Sequence, residues 1–347
     1  MDAGDRPFHE GEIAVQERAG ERDLARRHGA VISPQIVPGA LPFLASQRLV
    51  AASAAGDDGQ LWTSVWCGAP GFVRSADGQR VTVERSLMTV SPDDPVLACL
   101  APGGEVGMLA IDLESRRRLR INGTIERISA DAVVLVVRES VPNCPKYIQR
   151  RVPHEDAAGP PNRRSPERGR ILDGERRRLV ERADTVFVGS LHPRRGVDAS
   201  HRGGPPGFIR VIDATTLRVP DYRGNSMFLT LGNYEVDPRA SLAVLDFDGS
   251  RIVSFSGEAR LDFGLDDPRH PTGGTGRYWE LNVREWVQFE LPSGLRWERL
   301  DEWEQAHGTR IFGEPWVRWL FEEVAGWENP PVLVGGLGAT ISCHPVW

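Results

Sequence analysis

With 347 residues, 40% of them hydrophobic, the chain is long enough to bury two modest cores, and two domains plus tails is the natural count. Its formal net charge of −6 excludes a general electrostatic attraction to nucleic acid or to acidic membranes. Cys67, Cys99, Cys144 and Cys343 are scattered, with no Cys-x-x-Cys pair and no Cys/His cluster at zinc spacing, so the pattern indicates neither a disulfide framework nor a metal site and fits reduced thiols in a cytoplasm.

Residues 1–40 read as an N-terminal arm, dense in charge and lacking the apolar core of an export signal, with a short helix around Gly20 to Arg27. From 41 to 150 a first domain follows, in which short Val/Ile/Leu-rich runs are separated by Gly, Asp and Pro turns. Strands are expected at Leu49–Ala54, Gln60–Trp66, Arg80–Glu84, Val106–Asp112, Leu119–Ile128 and Val133–Glu139, the signal of a small antiparallel barrel. The stretch 151–178 is polar and rich in Pro and Arg, a linker whose end starts a helix over Asp173 to Arg182. A second domain spans 179–300, with strands expected at Thr185–Leu191, Phe208–Asp213, Leu217–Val219, Met227–Leu231, Leu242–Phe247, Ile252–Asp262 and Tyr278–Phe289. Residues 301–347 form a Trp-rich extension; eight of the ten tryptophans lie from Trp279 onward, which suits an interface or the roof of a pocket.

The two domains share a pattern. Ser64-x-x-x-Gly68-x-Pro70-Gly71-Phe72 recurs as Ser200-x-x-x-Gly204-x-Pro206-Gly207-Phe208, Val81–Val83 matches Leu217–Val219, and the Asp112/Gly123 pair returns as Asp246/Gly257 with the same gap. A period this long is a domain, not a solenoid unit, and two such domains can dock like the subunits of a symmetric dimer. The differences between the copies then carry the functional information. Where the first copy has Val65 and Trp66, the second has His201 and Arg202, in a segment read as a turn. After its matched strand the second copy continues Pro220-Asp221-Tyr222-Arg223-Gly224-Asn225, then Thr230-Leu231-Gly232-Asn233. Guanidinium groups, hydroxyls, amides and glycines suit a phosphate monoester, because Arg makes forked charge-assisted hydrogen bonds and Gly-rich turns bring backbone N–H groups onto an oxyanion. The plain alternative for 221–225 is a β-turn with a surface ion pair. Arg118, Arg120 and Asn122 alternate onto one strand face, for which solvation is the simpler reading; Arg176–Arg178 fit an exposed, salt-bridged helix.

These blocks, together with Asn143-Cys144-Pro145-Lys146-Tyr147-Ile148-Gln149 and Phe8-His9-Glu10-Gly11-Glu12, resemble the bacterial pyridoxamine 5′-phosphate oxidase-like FMN-binding proteins in a tandem form, over roughly residues 8 to 300. The resemblance implies a mainly β fold of two tandem split β-barrels with short flanking helices, the first degenerate and acting as scaffold. It implies FMN between the barrels, with the phosphate on Arg202, Tyr222, Arg223, Asn225 and Thr230, joined by Asn233. Ser200 and His201 would lie nearer the flavin ring, with Lys146 and Tyr147 reaching across; His201 and Lys146 are the candidate catalytic residues. The implied function is a cytoplasmic FMN-dependent oxidoreductase acting on a small, planar or aromatic molecule, served by a separate flavin reductase or electron donor, with a homodimer open and no nucleic-acid or membrane partner. The alternatives are a haem-binding or haem-degrading split barrel with His201 or His344 as axial ligand, and a flavin-binding protein without turnover.

Overall fold

The computed structural model describes residues 7–155, 165–266, 268, 271–291 and 295–300. The arm carries two helices rather than one. Helix α1 (Glu10–Arg18) starts at His9, whose Nδ1 accepts the Gly11 N–H at 3.1 Å while the Glu12 carboxylate accepts the His9 N–H at 2.8 Å, a reciprocal capping box. A histidine in the place of the usual Ser, Thr, Asp or Asn is why this start escapes a pattern reading. Helix α2 (Arg22–His28) follows, and α3 (Leu41–Ala45) leads into the first sheet.

That sheet holds β1 (Leu49–Ala55), β2 (Leu61–Gly68), β3 (Val73–Arg74), β4 (Arg80–Glu84), β5 (Met88–Thr89), β6 (Glu105–Asp112), β7 (Arg117–Ile128) and β8 (Ala132–Pro142), with α4 (Pro95–Cys99) between β5 and β6. Its order is β3-β4-β8-β7-β6-β1-β2-β5. The stretch read as a linker contains β9 (Arg151–Glu155), β10 (Glu167–Gly169) and the start of α5 (Gly174–Arg182). The second sheet contains β11 (Thr185–His192), β12 (Gly196–Gly203), β13 (Arg210–Val211), β14 (Thr216–Pro220), β15 (Arg239–Asp246), β16 (Arg251–Phe263) and β17 (Arg277–Glu290), with α6 (Leu229–Val236) between β14 and β15. Read backwards its order is β13-β14-β17-β16-β15-β11-β12, matching the first from β3 to β2 and lacking only a counterpart of β5; β10 adds to β17, and β18 (Leu295–Arg299) pairs with β9. The fold is mainly β, with short helices flanking two sheets of the split-barrel kind. No helix among the described residues is long and apolar enough to cross a membrane.

The duplicated residues do the same work in both copies. A Cβ on Gly68 would lie 2.4 Å from the Phe72 ring and one on Gly204 2.3 Å from the Phe208 ring, so each Pro-Gly-Phe turn folds its aromatic onto a bare backbone. Gly123 and Gly257 sit at bulges in β7 and β16, where a side chain would strike the carbonyls of Val136 and Asn282. Asp112 and Asp246 close the matched hairpins by accepting backbone N–H groups of the following turn.

Two segments differ from expectation. Met227–Leu231 is no strand but the entry to α6, since a short apolar run has no period that separates strand from helix. The stretch 198–203, read as a turn, lies within β12; its Asp, His, Arg and Gly residues hide strand character because they face another domain rather than a hydrocarbon core. Arg176 is also not exposed. It is 3% accessible, bonds Asp173, Glu175 and Glu167, and lies over the Trp286 ring at 4.4 Å.

The barrels dock with pseudo-two-fold symmetry: β12 packs on β6 and β7, and β2 packs on β15 and β16. On the β2 side the contact is largely apolar, with Thr63 bonded to Ser241 and Ser254. Val65, Trp66 and Cys67 join Ala243, Ile252, Phe289 and Trp297 in one core that runs across both halves. Each such side chain contributes about 1.5–3 kcal/mol on burial. The β12 side is polar, and there a cleft opens.

Candidate functional site

Alternation along β12 sends Asp198, Ser200 and Arg202 to one face. On β7, the matched alternation presents Arg118, Arg120 and Asn122 toward them. Arg120 is 4% accessible and donates through Nη1 to Asp198 at 2.9 Å and through Nη2 to Ser200; Asn122 donates to Asp198 at 2.5 Å. The expected solvated face is therefore corrected: this strand is the floor of the domain junction. Ser200 continues the network to Thr230 at 3.0 Å, and Asn233 donates to Asp198 and Ser190 while accepting from His9 Nε2 at 2.9 Å.

Above this floor lies a cleft of about 900 Å³ including its open mouth. Its walls come from both barrels: Arg118, Arg120 and the Asn143–Tyr147 loop from the first, β12 and the Pro220–Leu231 segment from the second. The cations Arg118, Arg120, Lys146 and Arg202 face one acidic residue, Asp221, whose carboxylate accepts from Arg277 Nε at 2.8 Å. Asp221 is thus buried against Arg277 and does not form the surface ion pair of the plain turn reading.

Arg202 has no carboxylate bonded to it among the described residues, although the charge of Asp221 acts on it. It donates to the His201 carbonyl at 3.1 Å, and its Nε is buried without a partner. Burial pushes its pKa down, a cost that an anion in the cleft would relieve. Helix α6 adds to the same field. Its N-cap, Phe228, is left-handed at φ 55° and makes no side-chain cap, and its first residues, Leu229, Thr230 and Leu231, line the cleft. An uncapped helix start offers free N–H groups and a partial positive charge.

His201 is a neutral imidazole. Burial, with the charges of Arg118, Arg202 and Arg151, holds its pKa well below the usual range. A guanidinium can only donate, so the 2.9 Å contact from Arg118 Nη1 makes His201 Nδ1 an acceptor and leaves the proton on Nε2, which is buried without a partner. His201 therefore offers a hydrogen bond, and a catalytic role as a proton-donating acid near neutral pH does not fit this geometry. Tyr147, left-handed at φ 66°, stacks on Tyr222 at 5.0 Å and donates to the Arg223 carbonyl at 3.0 Å, bridging the barrels at the cleft mouth.

Of the residues singled out in the sequence, Lys146, Tyr147, Ser200, His201, Arg202, Tyr222, Asn225 and Thr230 line the cleft together. Arg223 and Asn233 do not. The Arg223 side chain is exposed, and Asn233 lies beneath the floor, 3% accessible. Arg118 and Arg120 were missed as site residues, though the signal existed: their counterparts in β16 are Ile252 and Ser254. Comparing the copies in that direction too exposes the asymmetry. At the twin position Val65, Trp66 and Ile252 replace His201, Arg202 and Arg118 and join the core, leaving a smaller, mainly apolar pocket beside Trp66, Val83 and Arg85.

His9, Glu10 and His192 also approach one another closely enough to suggest a metal. Both imidazoles are otherwise engaged: Nδ1 of each accepts backbone N–H groups, leaving the proton on Nε2 and no free ring lone pair. His344 and the tryptophans of 301–347 lie outside the described residues.

No family model and no curated protein matches the sequence. Solved structures similar to parts of the chain include HupZ from Group A Streptococcus, at 14% identity and a TM-score of 0.28, covering 36% of this chain and 98% of that one. A candidate pyridoxamine 5′-phosphate oxidase from Lactobacillus delbrueckii matches at 14% identity and a TM-score of 0.28, covering 34% and 94%. HutZ, described as the heme storage protein from Vibrio cholerae, matches at 11% identity and a TM-score of 0.26, covering 35% and 98%.

Proposed function

We propose that the chain is an FMN-dependent oxidoreductase of the pyridoxamine 5′-phosphate oxidase-like kind, holding one flavin between its barrels and acting on a small planar molecule. The observation that carries this reading is Arg202, a desolvated guanidinium without a carboxylate partner, set in a cleft beside the uncapped start of α6. A phosphate monoester answers both. Arg202 and the N–H groups of α6 would hold it, with Thr230 and Asn225 as hydroxyl and amide partners. The cleft is lined from both barrels, so a ligand held there would touch each.

FMN supplies hydride or electron transfer at its ring. The chain binds and orients. Tyr147 and Tyr222 close the mouth, and Arg118, Lys146 and the His201 Nε2–H favour negative charge nearby. An axial haem bond from His201 Nε2 would need the proton moved to Nδ1, which the Arg118 contact opposes.

The test is a visible spectrum of the purified protein and a titration with FMN, with haemin as the comparison. The expected result is saturation at one FMN per chain with quenched flavin fluorescence. A colourless protein that takes up no FMN, or a haemin shift lost with His201→Ala, overturns the reading.

A further inference from the structure

Beneath the cleft floor three carboxyl groups are gathered by elements of both barrels and the arm, Asp198 and Glu12 buried and Glu139 half-buried. Asp198 on β12 accepts from Arg120, Asn122 and Asn233. Glu139 on β8 accepts from the same Asn122 amide at 3.3 Å. Glu12 on α1 is 5% accessible, and its carboxylate caps His9. The cations facing them are few. Arg120 is buried within the group, while Arg138, which bonds Glu105, and Arg195 lie at its rim. His9 and His192 stack at 4.1 Å beside the cluster; Glu10 approaches His192 at 3.4 Å and bonds Arg194. Two polar atoms here have no partner, Arg120 Nε and Asn122 Oδ1, both on residues at least 95% withdrawn from solvent.

Arg120 belongs to both systems. One arm of its guanidinium neutralises Asp198; the other bonds Ser200 in the cleft wall, and the residue itself lines the cleft. An anion arriving there shares the field of Arg120 and adds negative charge close to three carboxyls that already compete for it.

We propose that the Glu12–Glu139–Asp198 cluster takes up a proton when an anion occupies the cleft, so that anion binding is linked to pH. This rests on the anion-binding part of the function proposed above, and it assigns the regulation of that site to residues that do not touch the ligand. Burial, with Asp198 beside it, raises Glu139 to about 7, and burial holds Glu12 and Asp198 above the usual carboxylate range, so the cluster titrates where a cell's pH varies. The sign follows from linkage. The occupied protein binds more protons than the empty one, so affinity rises as pH falls through this window. His9, lowered to about 4 by burial and by His192, stays neutral throughout it.

Sulfate keeps a constant charge between pH 6 and 8 and is the probe. Calorimetric titration in two buffers of different ionisation heat reads protons taken up per sulfate bound. Affinity should weaken by about three- to tenfold from pH 6 to pH 8, a tenfold change corresponding to one unit of pKa displacement. Glu139→Gln should bind sulfate with a nearly flat pH profile and with most of the uptake lost; Glu12→Gln serves as a second variant should the first fold poorly. Absence of uptake in the wild type, or uptake undiminished in both variants, overturns the proposal. Sulfate binding with uptake in a protein that rejects FMN would sink the flavin reading and leave this one standing. Sulfate that Arg202→Gln fails to displace from the cleft overturns both.

Discussion

Arg202 and Arg223 are each followed directly by glycine and look equivalent on paper, yet they occupy different environments. Arg202 is desolvated on the cleft wall, whereas the Arg223 side chain is exposed and only its carbonyl joins the site, by accepting from Tyr147. Removing Arg202 should weaken FMN binding by about 1.5–3 kcal/mol through loss of a charge-assisted contact, while Arg223→Ala costs less and Arg85→Ala, in the first copy, leaves affinity unchanged. Fluorescence titration of the three variants decides this, and equal losses in all three would contradict the one-cleft assignment. The sequence could nominate both residues because chemistry limits which side chains suit a phosphate. It could not rank two arginines, since desolvation is set by strands and loops distant along the chain. Arg118 and Arg120 show the converse. Read on their own strand they are a polar face, and only the opposing β12 makes them a floor.

Among the elements, α1 and α6 meet through facing glycines. A Cβ on Gly11 would lie 2.2 Å from the Gly232 carbonyl oxygen, and one on Gly232 2.4 Å from the Glu12 side chain and 2.5 Å from its Cα. That close approach sets Glu12 under the cleft and fixes the direction of the α6 start. Gly232→Ala should therefore cost about 1–3 kcal/mol of stability and also reduce anion affinity, measured by denaturant melts and sulfate titration of the same variant. Gly204→Ala, which presses on Phe208, should destabilise comparably. Repeated turns, bulge glycines and hairpin aspartates were legible in the sequence because they answer to local backbone geometry. The course of β12 and the start of α1 were not, since their residues are chosen by cross-domain partners such as Arg118, Asn233 and Met227.

At the scale of the molecule, the second half keeps a core of its own, yet part of its interior belongs to the first. The larger core draws Phe187, Ala243, Ile252, Val287 and Phe289 from the second sheet into contact with Val65 and Trp66 of the first. Heat or denaturant should unfold both halves in one transition, coincident by tryptophan fluorescence and far-ultraviolet circular dichroism. Two resolved transitions would mean the shared core contributes little. Duplication itself could be read from spacing alone, but how far the copies merge depends on which face each strand turns to its twin.

Filling the twin position with Val65, Trp66 and Ile252 has a consequence for how the chain responds to its guest. A pair of identical berths related by a dyad passes through a half-loaded stage, at which the first arrival can ease or hinder the second. On the function proposed, a chain with one berth narrowed by hydrocarbon would be either vacant or full, and any graded response would come from protons or partners, not from neighbouring occupancy.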